Sequence, residues 1–385
     1  MLYWYIDNIE ESAMEIGMFQ LLPAPEGAGD REVIEQSLWE VDRAEDGGLD
    51  SVWVAEHHLS PFGLVGAPSV YAAAVAQRTR RVAIGYAVAV VPLHHPLRLA
   101  EEIAWVDNLS HGRLLVGVGP GFSPFEFAAY GVPLAERAAR LAEGEVILRG
   151  ALGQESFRHE GRFWRIPEVT VRPRPYRGSP PPFLRASSSM ESLRTAAREG
   201  MPLLLGLQSV AQLAERIAVY RAERAALGCS PAEIEREVGE LRVLRRMVLA
   251  PSDREASAQA RQALVWEERT ARRVHGDLGR PEGTRATEEP GPAGGLGPAA
   301  EPGPAAEPGP AAAPGPAPPI PGGMFGTPET VIGELEALAA LGIRHVIAWL
   351  RFGDLPFAGV RRSLALLRDE VLPALRAVPA CSPRA

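Results

Sequence analysis

The chain has 385 residues, 46% of them hydrophobic and 23% charged, with a formal net charge of -8. That is enough apolar material for a large core, and the lack of a basic block argues against nucleic acid and anionic membrane surfaces as partners. Two cysteines, Cys229 and Cys381, exclude a disulfide-stapled secreted fold and favour a reducing cytosol, and no run approaches the ~20 apolar residues that span a bilayer.

Met1 to Ile6 is apolar but lacks a basic n-region, so it is not read as a signal peptide. The fold is expected to begin at Met14, with residues 1–13 an N-terminal extension. From there, strand-length apolar runs alternate with helix-period segments. Strands are predicted near 14–19, 49–56, 82–91, 114–119, 183–187, 202–207, 241–250 and 345–350. Helices are predicted near 31–48, 67–78, 96–109, 133–150, 189–199, 210–227, 253–274, 328–341 and 357–377. In the helix after His95, Ala100, Ile103, Ala104 and Val106 fall on one side and Glu101, Glu102 and Asp107 on the other. Thr327-Pro328-Glu329 is a helix start, with a cap oxygen and a proline in the first turn.

Strands that read as continuous apolar runs belong to a parallel sheet covered by helices. About eight strand–helix units favour an α/β (β/α)8 TIM barrel over a doubly wound sheet. Residues 151–182 interrupt the rhythm. Phe157 to Trp164 reads as a small hairpin excursion and Arg172-Pro173-Arg174-Pro175 as an extended edge. Residues 281–323 repeat Glu-Pro-Gly-Pro-Ala-Ala, as at Glu301 to Ala306, and offer almost nothing large to bury. A disordered or polyproline-like insertion is expected there, tolerated because loop-closure entropy grows slowly with length. The expected organisation is barrel units one to seven over 14–275, a low-complexity mobile loop over 276–326, the last unit over 327–377 and a tail over 378–385.

The chemistry gathers at strand ends. Ser51 to Ala55 runs into Glu56-His57-His58, the next strand ends at Pro92-Leu93-His94-His95-Pro96, and Leu114 to Val116 opens into Gly117-Val118-Gly119-Pro120-Gly121. Carboxyl ends of barrel strands are where active sites are built, and an imidazole there can move a proton or bind a metal. Successive residues of an extended strand face opposite ways, so each His-His pair offers one ligand and a metal cage is not favoured. The glycines permit close approach of a ligand or a tight turn, but their spacing is not the dinucleotide fingerprint. Ala186-Ser187-Ser188-Ser189 at a strand-to-helix junction is either a helix cap or an anion site, the latter favoured by a cation such as Arg137.

Together these segments resemble the bacterial luciferase-like, flavin-dependent monooxygenases. The likeness rests on Ala55-Glu56-His57-His58, Phe62 to Pro68, Pro92 to Pro96, Asp107-Asn108-Leu109-Ser110-His111-Gly112-Arg113, Gly117 to Gly121, the Ser187–Ser189 turn and Gly326-Thr327-Pro328-Glu329, in family order. It implies a barrel that binds reduced flavin mononucleotide (FMN), supplied by a separate flavin reductase, at the carboxyl strand ends. It further implies reaction with O2 through a C4a-hydroperoxide to oxygenate a small apolar organic substrate, in a cytoplasmic homodimer. His57 matches the catalytic histidine and Ala87-Val88 the site of an unusual cis peptide under the flavin ring. Arg137 and Ser189, with Ser192, match phosphate-contacting positions. Glu56, Gly119, Gly121, Ser187 and Ser188 complete the expected cofactor-binding set. Gly119 and Pro120 stand where luciferase α subunits carry a reactive cysteine and an arginine, which argues against light emission. Three rivals remain: the deazaflavin F420 as a hydride carrier on the same fold, a non-catalytic flavin-binding partner subunit, and a metal-dependent barrel hydrolase.

Overall fold

The computed structural model describes residues 14–275 and 320–377. The expected extension at 1–13, nearly all of the repeat and the tail at 378–385 lie outside the described residues. The barrel strands are β1 (Glu15–Gln20), β2 (Ser51–Val54), β3 (Ala83–Tyr86), β4 (Leu114–Gly119), β5 (Phe183–Ser187), β6 (Leu203–Leu205), β7 (Arg242–Leu249) and β8 (His345–Trp349). Each pairs in parallel with the next, and β8 closes on β1 through Glu15 opposite His345 to Met18 opposite Ala348. The (β/α)8 expectation holds: Val52, Val54, Ile84, Tyr86 and Val116 are buried on one face of the wall and Trp53, Ala83 and Leu115 on the other, as a helix-covered parallel sheet requires.

The pleat sorts these strands into an inner and an outer set of side chains. Gly17, Ser51, Trp53, Arg242, His345 and Ile347 line one small cavity inside the amino-terminal half. Keeping that parity carries Phe19, Arg246 and Trp349 into the carboxyl half. Trp53 plugs the floor: its indole N–H donates to Ser51 Oγ at 2.8 Å, and the Arg242 guanidinium carbon lies 5.7 Å from the ring centre. A Cβ at Gly85 would fall on the Trp53 ring and one at Gly17 on the Ser51 hydroxyl that accepts its indole N–H, so the two glycines clear the place of that pair.

Four departures from the sequence expectations matter. The run over 82–91 is not one strand: β3 stops at Tyr86, Ala87-Val88 is a cis peptide, and Ala89–Val90 resumes beside Val118 and Gly119 of β4. The span 276–326 is not a loop to its end. Gly323–Gly326 forms a strand on Arg246 to Leu249 of β7, buries Met324 and sets Phe325 against Phe352. Short helices at Pro124–Ala129 and Pro231–Gly239 occupy stretches read as connections. Arg172 to Pro175 forms no strand; Arg172-Pro173 is a cis peptide in a turn-rich connection.

The hairpin is present as Phe157–Glu160 and Arg165–Val169. The Glu143 carboxylate fixes its tip by accepting the backbone N–H groups of Phe163 and Trp164 at 3.1 and 3.0 Å. Thr327 caps the helix Pro328–Ala339 as expected. That helix and Asp253–His275 both separate β7 from β8. The longer one, Asp253–His275, packs on Gly323–Gly326 and on Pro124–Ala129. No helix among the described residues is long and apolar enough to cross a membrane.

Candidate active site

All eight strands are parallel, so the segments that follow them meet at one end of the barrel. Glu56, two residues past β2, is buried there. Its Oε1 accepts from His58 Nε2 at 2.8 Å and from His94 Nε2 at 2.9 Å, and its Oε2 accepts the Val90 N–H at 2.8 Å. Burial alone would push this carboxyl up. The hydrogen bonds from His58 and His94, the charge of His94 and the Val90 amide outweigh it and hold the group at about 2. Burial works against protonation of His94, but the Glu56 carboxylate raises it above the ordinary histidine value. An ionised carboxylate only accepts, so His58 Nε2 carries hydrogen and, in the neutral ring, Nδ1 accepts from the Tyr130 hydroxyl at 3.0 Å.

His57 faces a second carboxylate. Its Nδ1 lies 3.0 Å from Glu126 Oε1, and the same oxygen accepts the His58 backbone N–H at 3.0 Å. With Nδ1–H donated to the carboxylate, the basic nitrogen of the neutral ring is Nε2. Phe62 and Phe122 meet the imidazole edge-on, with centroids 4.9 and 5.8 Å away. The His57 side chain keeps 13% exposure while that of Glu126 keeps 3%. A reachable imidazole backed by a buried carboxylate is the arrangement of a proton-transfer group and the residue that orients it.

Glu126 reaches this point because Ser123 starts the helix Pro124–Ala129, its hydroxyl accepting the Glu126 N–H at 3.3 Å. Neither Glu126 nor Tyr130 is among the residues expected from sequence. Ser123-Pro124-Phe125-Glu126 does carry the Ser-x-x-Glu signature of a helix start. Here the glutamate turns to the histidines.

Of the expected cofactor-binding residues, Glu56 is committed to His58, His94 and Val90. Ala87 and Val88 form the cis peptide beside β4. A Cβ on Gly119 would lie 2.6 Å from Val88 Cγ2 and 3.7 Å from Ala186 Cβ, which brings the ends of β3, β4 and β5 together. Gly121 turns the chain at φ 69. At the end of β5, Ser187 Oγ and Ser192 Oγ are 2.8 Å apart, and Ser189 Oγ caps the helix Met190–Glu199 by accepting the Ser192 N–H at 3.2 Å. The Ser188 carbonyl accepts from the Arg216 guanidinium at 2.5 Å. Arg137 opens the helix Arg137–Gly153 and donates to the Leu134 carbonyl at 3.3 Å. Three hydroxyls converging on a helix start form a donor set that fits a phosphate group.

Residues 14–345 match the model of the luciferase-like monooxygenases, and the chain belongs to that family. It spans about half the length of the curated relatives it matches. One is the oxygenase component of a flavin-dependent trigonelline monooxygenase from Acinetobacter baylyi, 32% identical over 177 residues, 44% of this chain and 49% of that protein. Among solved structures, the monooxygenase RslO1 from Streptomyces bottropensis is 26% identical with a TM-score of 0.74, covering 94% of this chain and 99% of its own. An F420-dependent secondary alcohol dehydrogenase shares the fold, with 18% identity and a TM-score of 0.67 over 95% of this chain and 100% of its own.

Proposed function

We propose that this protein is the oxygenase component of a two-component monooxygenase, receiving reduced FMN from a separate flavin reductase and using O2 to oxygenate a small organic substrate. The observation that carries the reading is the His57–Glu126 pair, 3.0 Å apart, at the barrel end that also holds Val88, Gly119 and the serine turn. A reduced flavin bound there would supply the electrons that activate oxygen. The chain's own residues bind, orient and exclude. Ser187, Ser188, Ser189, Ser192 and Arg137 would hold the phosphate, and Ala87-Val88 with Gly119 and Gly121 would shape the ring pocket. His57 would hold or deliver a proton at Nε2 while Glu126 fixes the ring, and Phe62 and Phe122 would keep water from it.

The kinship with a named oxygenase component supports the reductase partner. A cytoplasmic homodimer belongs to the same proposal. Exposed Trp105 and Val146, on packed neighbouring helices, offer apolar surface for a second copy, and sedimentation velocity tests it.

The deciding experiment is reconstitution with FMN, a flavin reductase and isotopically labelled O2. Flavin binding and substrate-dependent label in product are expected. Absence of FMN binding at tens of micromolar overturns the proposal. Turnover with reduced F420 and no oxygen uptake transfers the site to the hydride-transfer rival.

A further inference from the structure

Arg246 and Glu267 form a buried ion pair inside the carboxyl half of the barrel, outside the His57 cluster. Arg246 stands on β7 with inward parity, and Glu267 comes from the helix Asp253–His275. The guanidinium carbon lies 4.8 Å from the Trp349 ring centre and 5.9 Å from that of Phe352. Phe19 packs on Trp349 at 5.2 Å and Phe325 on Phe352 at 6.2 Å, so an aromatic wall encloses the charge.

The pair is incompletely satisfied. Arg246 Nε and Glu267 Oε2 are both buried without a hydrogen-bond partner among the described residues. Buried polar atoms normally find partners, and a half-satisfied ion pair is a poor contributor to stability compared with apolar side chains of the same size. Burial also pushes the Glu267 carboxyl up, which weakens it as a counter-ion. The helix that carries Glu267 packs on the helix that carries Glu126, so a ligand between Arg246 and that helix would lie toward His57.

Resting on the flavin-oxygenase reading, we propose that Arg246 is a substrate-recognition residue and that the substrate is a planar aromatic acid. Its carboxylate takes a bidentate place on the guanidinium, which Glu267 holds here through a single contact from one oxygen. A planar guanidinium suits a carboxylate by geometry, and the Trp349 and Phe352 faces suit the ring system to which it is attached. Glu267 is then a stand-in for the ligand rather than a fixed support.

Isothermal titration calorimetry with naphthoate and with neutral naphthalenemethanol tests this on the full chain, with FMN affinity measured in parallel. The wild type is expected to prefer naphthoate by about tenfold or more, the usual worth of a charge-assisted hydrogen bond. Arg246→Met should erase that preference and leave FMN affinity unchanged. Glu267→Gln should tighten naphthoate several-fold by removing the competing anion, and it decides the matter if Arg246→Met does not fold. Equal affinity for the two probes, no binding of either, an unchanged preference in Arg246→Met or unimproved binding in Glu267→Gln would overturn the proposal. Loss of FMN affinity in Arg246→Met would also overturn it, because Arg246 would then belong to the cofactor. Failure of the wild type to bind FMN strikes the flavin reading alone, since the probe comparison does not depend on it.

Discussion

Glu126 Oε1 accepts from both His57 Nδ1 and the His58 backbone amide, each at 3.0 Å. One carboxylate thereby sets the ring orientation of the first histidine and the backbone of the second. Replacing His57 with alanine should lower turnover by about 10² to 10⁴, the usual range for a positioned proton-transfer group. Glu126→Gln should cost about tenfold to a hundredfold in kcat while leaving FMN affinity unchanged, since the amide keeps the shape but not the charge. Glu126→Asp should recover part of the loss. Stopped-flow and steady-state kinetics on the three variants check the order.

The Glu56 carboxyl is held at about 2 against an ordinary value of 4.5, so the folded state binds that proton less well than the unfolded chain. Its contribution is therefore fully present above pH 4.5 and is lost as the pH falls toward 2. The shift is worth about 3 kcal/mol. Denaturant titrations over that window should show the wild type losing stability more steeply than Glu56→Gln, by about that amount. Parallel curves would show that the Glu56 carboxyl binds its proton equally well in the folded and unfolded chain.

Gly117 sits in β4, where a Cβ would fall on the Tyr86 carbonyl oxygen and lie 2.6 Å from Leu204 Cδ1. Backbone cannot yield as a side chain can. Gly117→Ala is expected to destabilise the fold by about 3 kcal/mol, the upper range for overpacking a buried position. Urea denaturation measures it. The sequence reading allowed this glycine a ligand-facing role; its surroundings assign it to strand packing.

Asp253 Oδ1 accepts both the Thr327 N–H and the Thr330 hydroxyl at 2.9 Å, tying the start of one helix to the start of another across 74 residues of sequence. Asp253→Ala should cost about 1–2 kcal/mol, as the loss of a capping acceptor does. Hydrogen exchange should show faster opening of Gly323–Gly326 than of β7 below it.

The barrel was legible because its signals are local. Each wall strand is a short apolar run, and each run ends in residues that favour turns or helix starts. His57, the serine turn and the cap at Thr327 sit at those punctuation points. Glu126 was not legible, since its meaning depends on two histidines 68 and 69 residues away. The strand Gly323–Gly326 escaped for a similar reason. Four residues bounded by glycine have no strand-like pattern until β7 supplies the hydrogen-bonding partners. The break after Tyr86 lies inside an unbroken apolar run, which periodicity alone cannot divide. Arg246 and Glu267 look like surface charges in their segments, and only the closed barrel turns them inward.

Trp53, buried beneath the Arg242 guanidinium and given room by Gly85, fills the amino-terminal end of the barrel like the bottom of a vessel. With that end of the barrel filled, the end where His57 stands is the one left to admit a molecule of substrate size. On the proposed function, cofactor, substrate and product would share that doorway, and the sequence in which they pass would become part of the chemistry. A late-leaving product would hold up the next delivery from a reductase. Turnover in such a vessel would be governed by traffic as much as by bond making, and a smaller side chain at Trp53 would loosen its floor.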